Sequence, residues 1–160
     1  MMYIEVMIDA QNVHGAIVHE TSGRNDSLIR VSLKAVILDD EGRTLVVKER
    51  GRDWWDIPGG GIDHGETIKE ALARELFEEV SLKGDFEYET LLAEDPRYIE
   101  SLNLYQMRIT FLVTPSSMVF VSGDDGDEVA FVDADLYEKS DLWTERQIYT
   151  FSTLAKSRIG

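Results

Sequence analysis

The sequence predicts an α+β domain in which a mixed β-sheet is sandwiched between α-helices. Three observations carry that expectation. Two stretches, Thr67 to Val80 and Leu142 to Arg158, have helical apolar spacing, and the first opens on a capping box. Short alternating apolar runs surround the first stretch and precede the second, an order that implies a sheet covered by helical layers. At 160 residues, 43% apolar and 29% charged, the chain can build one hydrophobic core and is too apolar to be disordered. With no internal repeat, low-complexity run or linker, residues 1–160 read as a single domain, of which 1–28 form an N-terminal extension.

Composition excludes several chemistries. There are no cysteines, which removes disulfides, thiolate metal sites and a cysteine nucleophile. His14, His19 and His64 are scattered and lack zinc-site spacing. The net charge of −15 argues against duplex nucleic acid as a partner, because that affinity comes from neutralising phosphates. A small phosphorylated substrate fits only if a metal and a few local cations offset the field. No apolar run approaches a membrane span, and MMYIEVMIDAQ lacks the basic region and apolar core of a signal peptide. No membrane partner is expected, and the expected compartment is the cytoplasm.

Taken in order, Tyr3 to Ile8 and Val13 to Val18 could pair as a hairpin, as an added edge or a homodimer contact, and Thr21 to Ser27 reads as a linker. Ile29 to Leu38 alternates as a strand with Val31, Leu33, Ala35 and Ile37 on one face. Asp39 to Gly42 turns the chain into a return strand, Thr44 to Lys48. Arg50 to Asp53 is a polar loop; with Lys48, its Arg50 and Arg52 are the only local concentration of positive charge ahead of the box and are candidates for substrate phosphates. Trp55 is read as a packing residue. Gly59, Gly60 and Gly61 permit positive φ and close backbone approach. After the first helix, Phe86 to Leu92 alternates as a strand, and Leu102 to Thr114 is the strongest later one, ended by Pro115. Met118 to Val121 is a candidate partner for it, Ser122 to Asp127 a loop, and Glu128 to Val132 the last strand. The C-terminal helix directs Leu142, Ile148, Phe151 and Leu154 to the core.

The first helix carries the chemistry. Thr67 and Glu70 form its capping box, and nothing to Val80 breaks it. At about 100° per residue, Glu75, Glu78 and Glu79 fall within an arc of roughly 100° that overlaps the stripe of Ile68, Leu72, Leu76 and Val80. Carboxylates that only solvate a helix sit opposite its apolar stripe. Crowded beside it they repel one another and lose water, and a hard cation such as Mg²⁺ or Mn²⁺ relieves that penalty. Alone, an E-x-x-E-E string is more often a charged, solvated helix.

The string is not alone. Gly60, Glu66, Arg74, Glu75, Leu76, Glu78, Glu79 and Leu82 stand at the spacing of the box G-x5-E-x7-R-E-U-x-E-E-x-G-U, preceded by Trp55-Asp56-Ile57-Pro58-Gly59-Gly60. This stretch resembles the Nudix box, with Ser81 in place of the second glycine. The resemblance implies the Nudix fold and hydrolysis of the pyrophosphate bond of a nucleoside diphosphate linked to another moiety X. It implies Glu75, Glu78 and Glu79 as ligands of Mg²⁺ or Mn²⁺, with the Gly60 carbonyl as a further one and Glu79 foremost. Arg74 would orient a box glutamate, and Glu66 would anchor the loop to the helix start. Gly59, Gly61, Arg50 and Arg52 would meet the substrate.

The general base stays open between a box glutamate, foremost Glu78 or Glu75, and a later acid among Glu94, Asp95, Asp124, Asp125, Asp127 and Glu128. Glu128 leads the later group because it opens a strand. Ser81 is expected to alter the helix end slightly and to spare the ligands. The substrate stays open too, between a nucleotide sugar, a dinucleoside polyphosphate and a (deoxy)nucleoside triphosphate. Pro96 resembles the proline of ADP-ribose pyrophosphatases and Tyr98 the tyrosine of diadenosine polyphosphate hydrolases, and the two cancel. The alternative is a non-catalytic Nudix-like module that binds a nucleotide or a protein partner.

Overall fold

The computed structural model of the protein describes residues 16–18 and 25–160, with side chains from Leu28 onward. Eight strands and two α-helices are present among them: β1 (Ala16–Val18), β2 (Asn25–Ser27), β3 (Ile29–Val36), β4 (Thr44–Glu49), α1 (Ile68–Val80), β5 (Phe86–Ala93), β6 (Arg97–Ile99), β7 (Leu104–Pro115), β8 (Gly126–Val132) and α2 (Trp143–Ile159).

The 12-residue β7 is the axis of the main sheet. On one edge it pairs in parallel with β3, from Ile29 opposite Tyr105 to Val36 opposite Leu112. On the other edge it pairs antiparallel with β5 and then β6, so the sheet is mixed. β4 and β8 form a separate antiparallel pair, and bridges at Leu38–Thr44 and Val47–Asp56 tie β4 to its surroundings.

Period-two alternation distributes the core between two helices. Leu33, Ala35 and Ile37, with Leu45, Val47, Phe111 and Val113, point to one face, where Ala71, Leu72, Leu76 and Val80 of α1 cover them. Val36, Val46, Leu91 and Leu112 point to the other, against Ile148, Phe151 and Ala155 of α2. Each fully buried Leu or Val here contributes about 1.5–3 kcal/mol. The expected α+β architecture, a mixed sheet between helices, is the observed one.

Several elements differ from expectation. The first half of the expected N-terminal hairpin, Tyr3 to Ile8, lies outside the described residues. Ala16–Val18 pairs antiparallel with Asn25–Ser27, which composition assigned to a linker. β7 starts at Leu104 because a 3₁₀ turn at Glu100–Leu102 ends on Asn103 in a left-handed conformation. Arg97–Ile99 continues the edge strand past Pro96, an assignment that the turn-like Asp-Pro pair hid. Met118 to Val121 forms no strand. It runs beside the end of α1, where Val121, Gly123 and Asp125 amides donate to the carbonyls of Val80, Glu79 and Glu78. Leu142 is 47% exposed and faces away from the core, because it is the N-cap of α2 and not part of its apolar stripe.

Candidate active site

The glycine stretch forms an extra strand-like edge on β3. Leu33 N–H donates to the Gly60 carbonyl at 2.8 Å, Ala35 N–H to the Pro58 carbonyl at 2.9 Å, and Ile62 N–H to the Val31 carbonyl at 3.0 Å. Of the three glycines only Gly59 has a positive φ, +143°; Gly60 and Gly61 serve close approach. A Cβ on Gly60 would lie 2.4 Å from Glu75 Oε1, and one on Gly61 would lie 2.2 Å from Arg30 Nη2.

The chain reaches α1 through its capping box, with Glu70 N–H donating to Thr67 Oγ1 at 3.2 Å and Thr67 N–H to Glu70 Oε2 at 2.7 Å. Such caps contribute about 1 kcal/mol. The apolar stripe then presses the overlapping carboxylates inward. Glu79 is 5% exposed and accepts from the Gly59 amide at 2.8 Å. Burial pushes its carboxyl up to about 8, against the pull of Lys34 and the Gly59 amide and with help from the neighbouring Glu49 and Glu75. Glu75 is also raised by burial, opposed by Arg74.

Arg74 organises the entry to this face. Its Nε and Nη2 donate to Glu66 at 2.7 and 2.9 Å, its Nη1 to Glu75 Oε1 at 2.7 Å and Glu78 Oε2 at 3.4 Å, and its Nη2 to the Gly61 carbonyl at 2.9 Å. Glu66 also accepts from the Asp63 amide, and Arg74 holds its carboxyl down at about 2. One guanidinium thus joins the glycine stretch, the loop before α1 and two of the three box acids.

Beside the glycines opens a cleft of about 400 Å³ between the polar end of the sheet and the first turn of α2. Arg30, Ser32 and Lys34 of β3, Gln106 and Arg108 of β7, Arg52, Glu49, Asp56, Gly59, Gly60 and Gly61 line it together with Trp143. Lys34 donates to Asp56 Oδ2 and to the Ile57 carbonyl, both at 2.8 Å, in a largely buried pair.

The sequence-predicted residues divide accordingly. Gly59, Gly60, Gly61 and Arg52 line the cleft, and Glu75, Glu78, Glu79 and Arg74 cluster at its glycine wall. The structure does not bring Arg50 or Glu128 to it. The Arg50 amide pairs with the Asp125 carbonyl, and Glu128 is 3.0 Å from Nζ of Lys48, its partner across the β4–β8 pair. Lys48 stacks on Trp55, 4.7 Å from the ring centroid, and Trp55 packs on the α2-side core as expected. Reading from the sequence missed Arg30, Lys34, Glu49, Asp56, Arg108 and Trp143. A signal existed for some of them: Arg30, Ser32 and Lys34 occupy the polar phase of a strand whose other phase is wholly apolar.

Among the described residues no three Asp, Glu or His side chains converge closely enough to enclose an ion as they stand. The donor chemistry nevertheless fits one. Each box glutamate uses a single carboxyl oxygen for its hydrogen bonds, leaving the other oxygen for a cation. Two of these acids have pKa values raised by burial, so their charge is under-compensated. The Gly60 carbonyl is engaged by Leu33 and has only its second lone pair to offer.

Residues 28–151 match the NUDIX domain, and the chain belongs to the Nudix family. Among its relatives is an RNA pyrophosphohydrolase of Ruthia magnifica subsp. Calyptogena magnifica, 40% identical over 70 residues, or 44% of this chain and 38% of that protein. An RNA pyrophosphohydrolase of Aeromonas hydrophila subsp. hydrophila is 43% identical over 54 residues, 34% of this chain and 31% of that one. The matches therefore span about a third of the length of these curated relatives. Among solved structures, a UDP-X diphosphatase superposes with a TM-score of 0.64 at 21% identity, covering 88% of this chain and 66% of that one. The MutT protein of Methanosarcina mazei Go1 gives 0.61 at 18% identity, covering 78% and 93%. These similarities establish the fold. No helix among the described residues is long and apolar enough to cross a membrane.

Proposed function

We propose that this chain is a divalent-metal-dependent pyrophosphohydrolase acting on a nucleoside diphosphate linked to another moiety X. The observation that carries the reading is the pair of largely buried carboxylates, Glu75 packed against Gly60 and Glu79 bonded to the Gly59 amide, which sit side by side at the glycine wall of the cleft and share little positive charge beyond Arg74 and Lys34. Glu75, Glu78 and Glu79, with the free lone pair of the Gly60 carbonyl, would hold Mg²⁺ or Mn²⁺. Bound there, the ion would neutralise developing charge on the phosphoryl oxygens and acidify a water.

The remaining work falls to the chain itself. Arg74 keeps Glu75 and Glu78 in place and is itself held by Glu66. Gly59, Gly61 and Arg52 line the path of the diphosphate. Glu78 is the most exposed of the three box glutamates and stands beside Glu75 and Arg74, and water activation is assigned to it in preference to Glu128, which does not line the cleft. The name of the matched relatives raises RNA as one substrate. Those matches extend over 70 and 54 residues, too little of either protein to transfer a substrate.

An assay panel tests this reading: product release from ADP-ribose, dinucleoside polyphosphates, nucleotide sugars and nucleoside triphosphates, with and without Mg²⁺. Metal-dependent turnover of at least one compound, mostly lost in Glu79→Gln, is expected. Turnover unchanged by that substitution removes the assigned role. Binding without turnover across the whole panel favours the non-catalytic module.

A further inference from the structure

We infer that the segment 121–127 is a positioning bracket: its backbone fixes the last turn of α1, and with it Glu78 and Glu79, while its Asp127 fixes the turn that carries Arg52 to the cleft. The inference rests on the hydrolase reading for what Glu78, Glu79 and Arg52 do, and on bonds outside the cleft for its evidence.

A helix leaves its last carbonyls without partners of its own. At the end of α1 the Ser81 and Leu82 amides return to the Phe77 and Leu76 carbonyls at 3.1 and 3.0 Å, which leaves Glu78, Glu79 and Val80. One segment takes all three. Asp125 and Gly123 N–H donate to the Glu78 and Glu79 carbonyls at 3.0 Å each, and Val121 N–H donates to the Val80 carbonyl at 3.3 Å. No basic side chain stands in the last turn of α1 to do this instead.

Two glycines make the contact possible. A Cβ on Gly123 would overlap the Glu78 carbonyl, and one on the buried Gly126 would overlap the Glu79 carbonyl and press on Val47 Cγ2 at 3.2 Å. Neither glycine has a positive φ, so space and not backbone angle excludes a side chain. Glu79 is therefore held at both ends, its carbonyl by Gly123 and its carboxylate by the Gly59 amide at 2.8 Å. A metal ligand is aimed by what fixes it from behind.

The same segment reaches the turn after β4. The Asp125 carbonyl accepts from the Arg50 amide at 2.9 Å, so one residue joins α1 to that turn. β8 then carries an extra residue: Glu128 stands opposite Lys48 and Gly126 opposite Glu49, with Asp127 between them. Such a bulge re-aims a side chain. Asp127 Oδ2 accepts from the Gly51 amide at 2.9 Å. Arg52, whose amide closes the turn on the Glu49 carbonyl at 3.0 Å, lines the cleft. Asp127, a candidate base by its place in the sequence, is thereby a positioning residue.

Gly123→Ala tests the helix side, with Gly42→Ala as its control. Gly42 has φ +75° in the turn between β3 and β4, so alanine strains the backbone there without touching α1. Mn²⁺ titration of the folded proteins should show affinity weakened about tenfold or more in Gly123→Ala and about twofold or less in Gly42→Ala. In EDTA, hydrogen exchange at the Glu79 and Val80 amides should accelerate about tenfold more than at Leu72 in Gly123→Ala, and all three should move alike in Gly42→Ala.

The Arg52 side is tested at Asp127, which is exposed. Asp127→Ala should raise KM about threefold or more, with kcat and Mn²⁺ affinity within about twofold. Asp127→Asn, which keeps an acceptor for the Gly51 amide, should restore the unaltered KM. Mn²⁺ affinity that survives Gly123→Ala, or falls as far in Gly42→Ala, overturns the bracket. So does a KM indifferent to Asp127→Ala or moved equally by Asp127→Asn, and so does a collapse of kcat in Asp127→Asn. If Gly123→Ala does not fold, the two Asp127 variants decide. If the unaltered protein binds no Mn²⁺ and turns over nothing, the hydrolase reading falls, and the exchange pattern alone sustains or overturns the bracket.

Discussion

The Gly59 amide donates to Glu79 Oε2 at 2.8 Å across 20 positions of sequence, and it is the only hydrogen bond that this buried carboxylate makes among the described residues. The bond exists because Gly59 has a φ of +143° and because its α-carbon lies against β3, where a Cβ would be 2.1 Å from the Leu33 carbonyl oxygen. Gly59→Ala therefore has no local remedy: both the backbone angle and the space oppose it. We expect a loss of more than about 2 kcal/mol in urea unfolding and disappearance of any Mn²⁺-induced rise in Tm. A variant that keeps the metal response would show that Glu79 is positioned by something other than this amide.

Glu79 also sets a pH dependence. Its carboxyl is raised to about 8 in the folded protein, above the ordinary value of 4.5. Between those pH values the native state retains a proton that the unfolded chain has lost, so metal-free stability falls as pH rises through this window, by up to about 1.4 kcal/mol per unit from this group. Below it the sign reverses: Glu66, held down at about 2 by Arg74, contributes stability above pH 4.5 that is lost as pH falls. Urea midpoints in EDTA should thus decline from pH 5 to 8 in the unaltered protein and flatten in Glu79→Gln. Mn²⁺ should help most at the alkaline end, where the ion no longer competes with that proton.

The burial of Glu79 and the start of α1 are legible in the sequence. The overlap of Glu75, Glu78 and Glu79 with the stripe of Leu72, Leu76 and Val80 foretold that a carboxylate would be buried, and Glu79 is. Thr67 and Glu70 marked the helix start because a cap is a local, four-residue interaction. The cleft was not legible, because its walls come from β3, β7 and the start of α2, which together span more than 100 positions of sequence. Arg108 has no neighbour in sequence that distinguishes it from a solvated arginine, and only the register of β7 against β3 sets it beside Ser32. Met118 to Val121 misled for a related reason. Its apolar content suited a strand, but both edges of β7 are taken, by β3 on one side and by β5 and β6 on the other, and the Val121 amide is drawn to the Val80 carbonyl at the end of α1.

Lys34 couples the core to the site. Its ammonium is buried with Asp56 at 2.8 Å and is also the cation that most restrains the pKa of Glu79. Lys34→Met leaves Asp56 buried and unpaired, which typically costs about 3–5 kcal/mol. Lys34→Met with Asp56→Asn should recover a substantial part of that loss. In both variants the alkaline decline in metal-free stability should extend to higher pH, because Glu79 loses its opposing charge. Urea unfolding of the three proteins across pH 6 to 9 measures both effects. A double variant no better than the single one would show that the ion pair is not what Lys34 contributes.

Ser81 stands where the box has glycine, and it is the residue that turns the end of α1. It adopts φ 52° and ψ 35°, the left-handed conformation itself, so the expected change of helix end does not occur. That conformation lets the Leu82 amide return to the Leu76 carbonyl at 3.0 Å and leads the chain away from Glu78 and Glu79. A non-glycine residue is disfavoured there by about 1–2 kcal/mol, and the Ser81 hydroxyl makes no hydrogen bond among the described residues to offset it. Glycine relieves the strain but has a more flexible unfolded state. Ser81→Gly should accordingly gain about 0.5–1 kcal/mol net, roughly 1–4 °C in Tm for a domain of this size. Ser81→Val, with a branched β-carbon in the same backbone well, should lose more than that. Because neither change touches a carboxylate, kcat/KM with saturating Mg²⁺ should move less than threefold in Ser81→Gly. A destabilised Ser81→Gly would mean that serine holds the turn by a contact of its own.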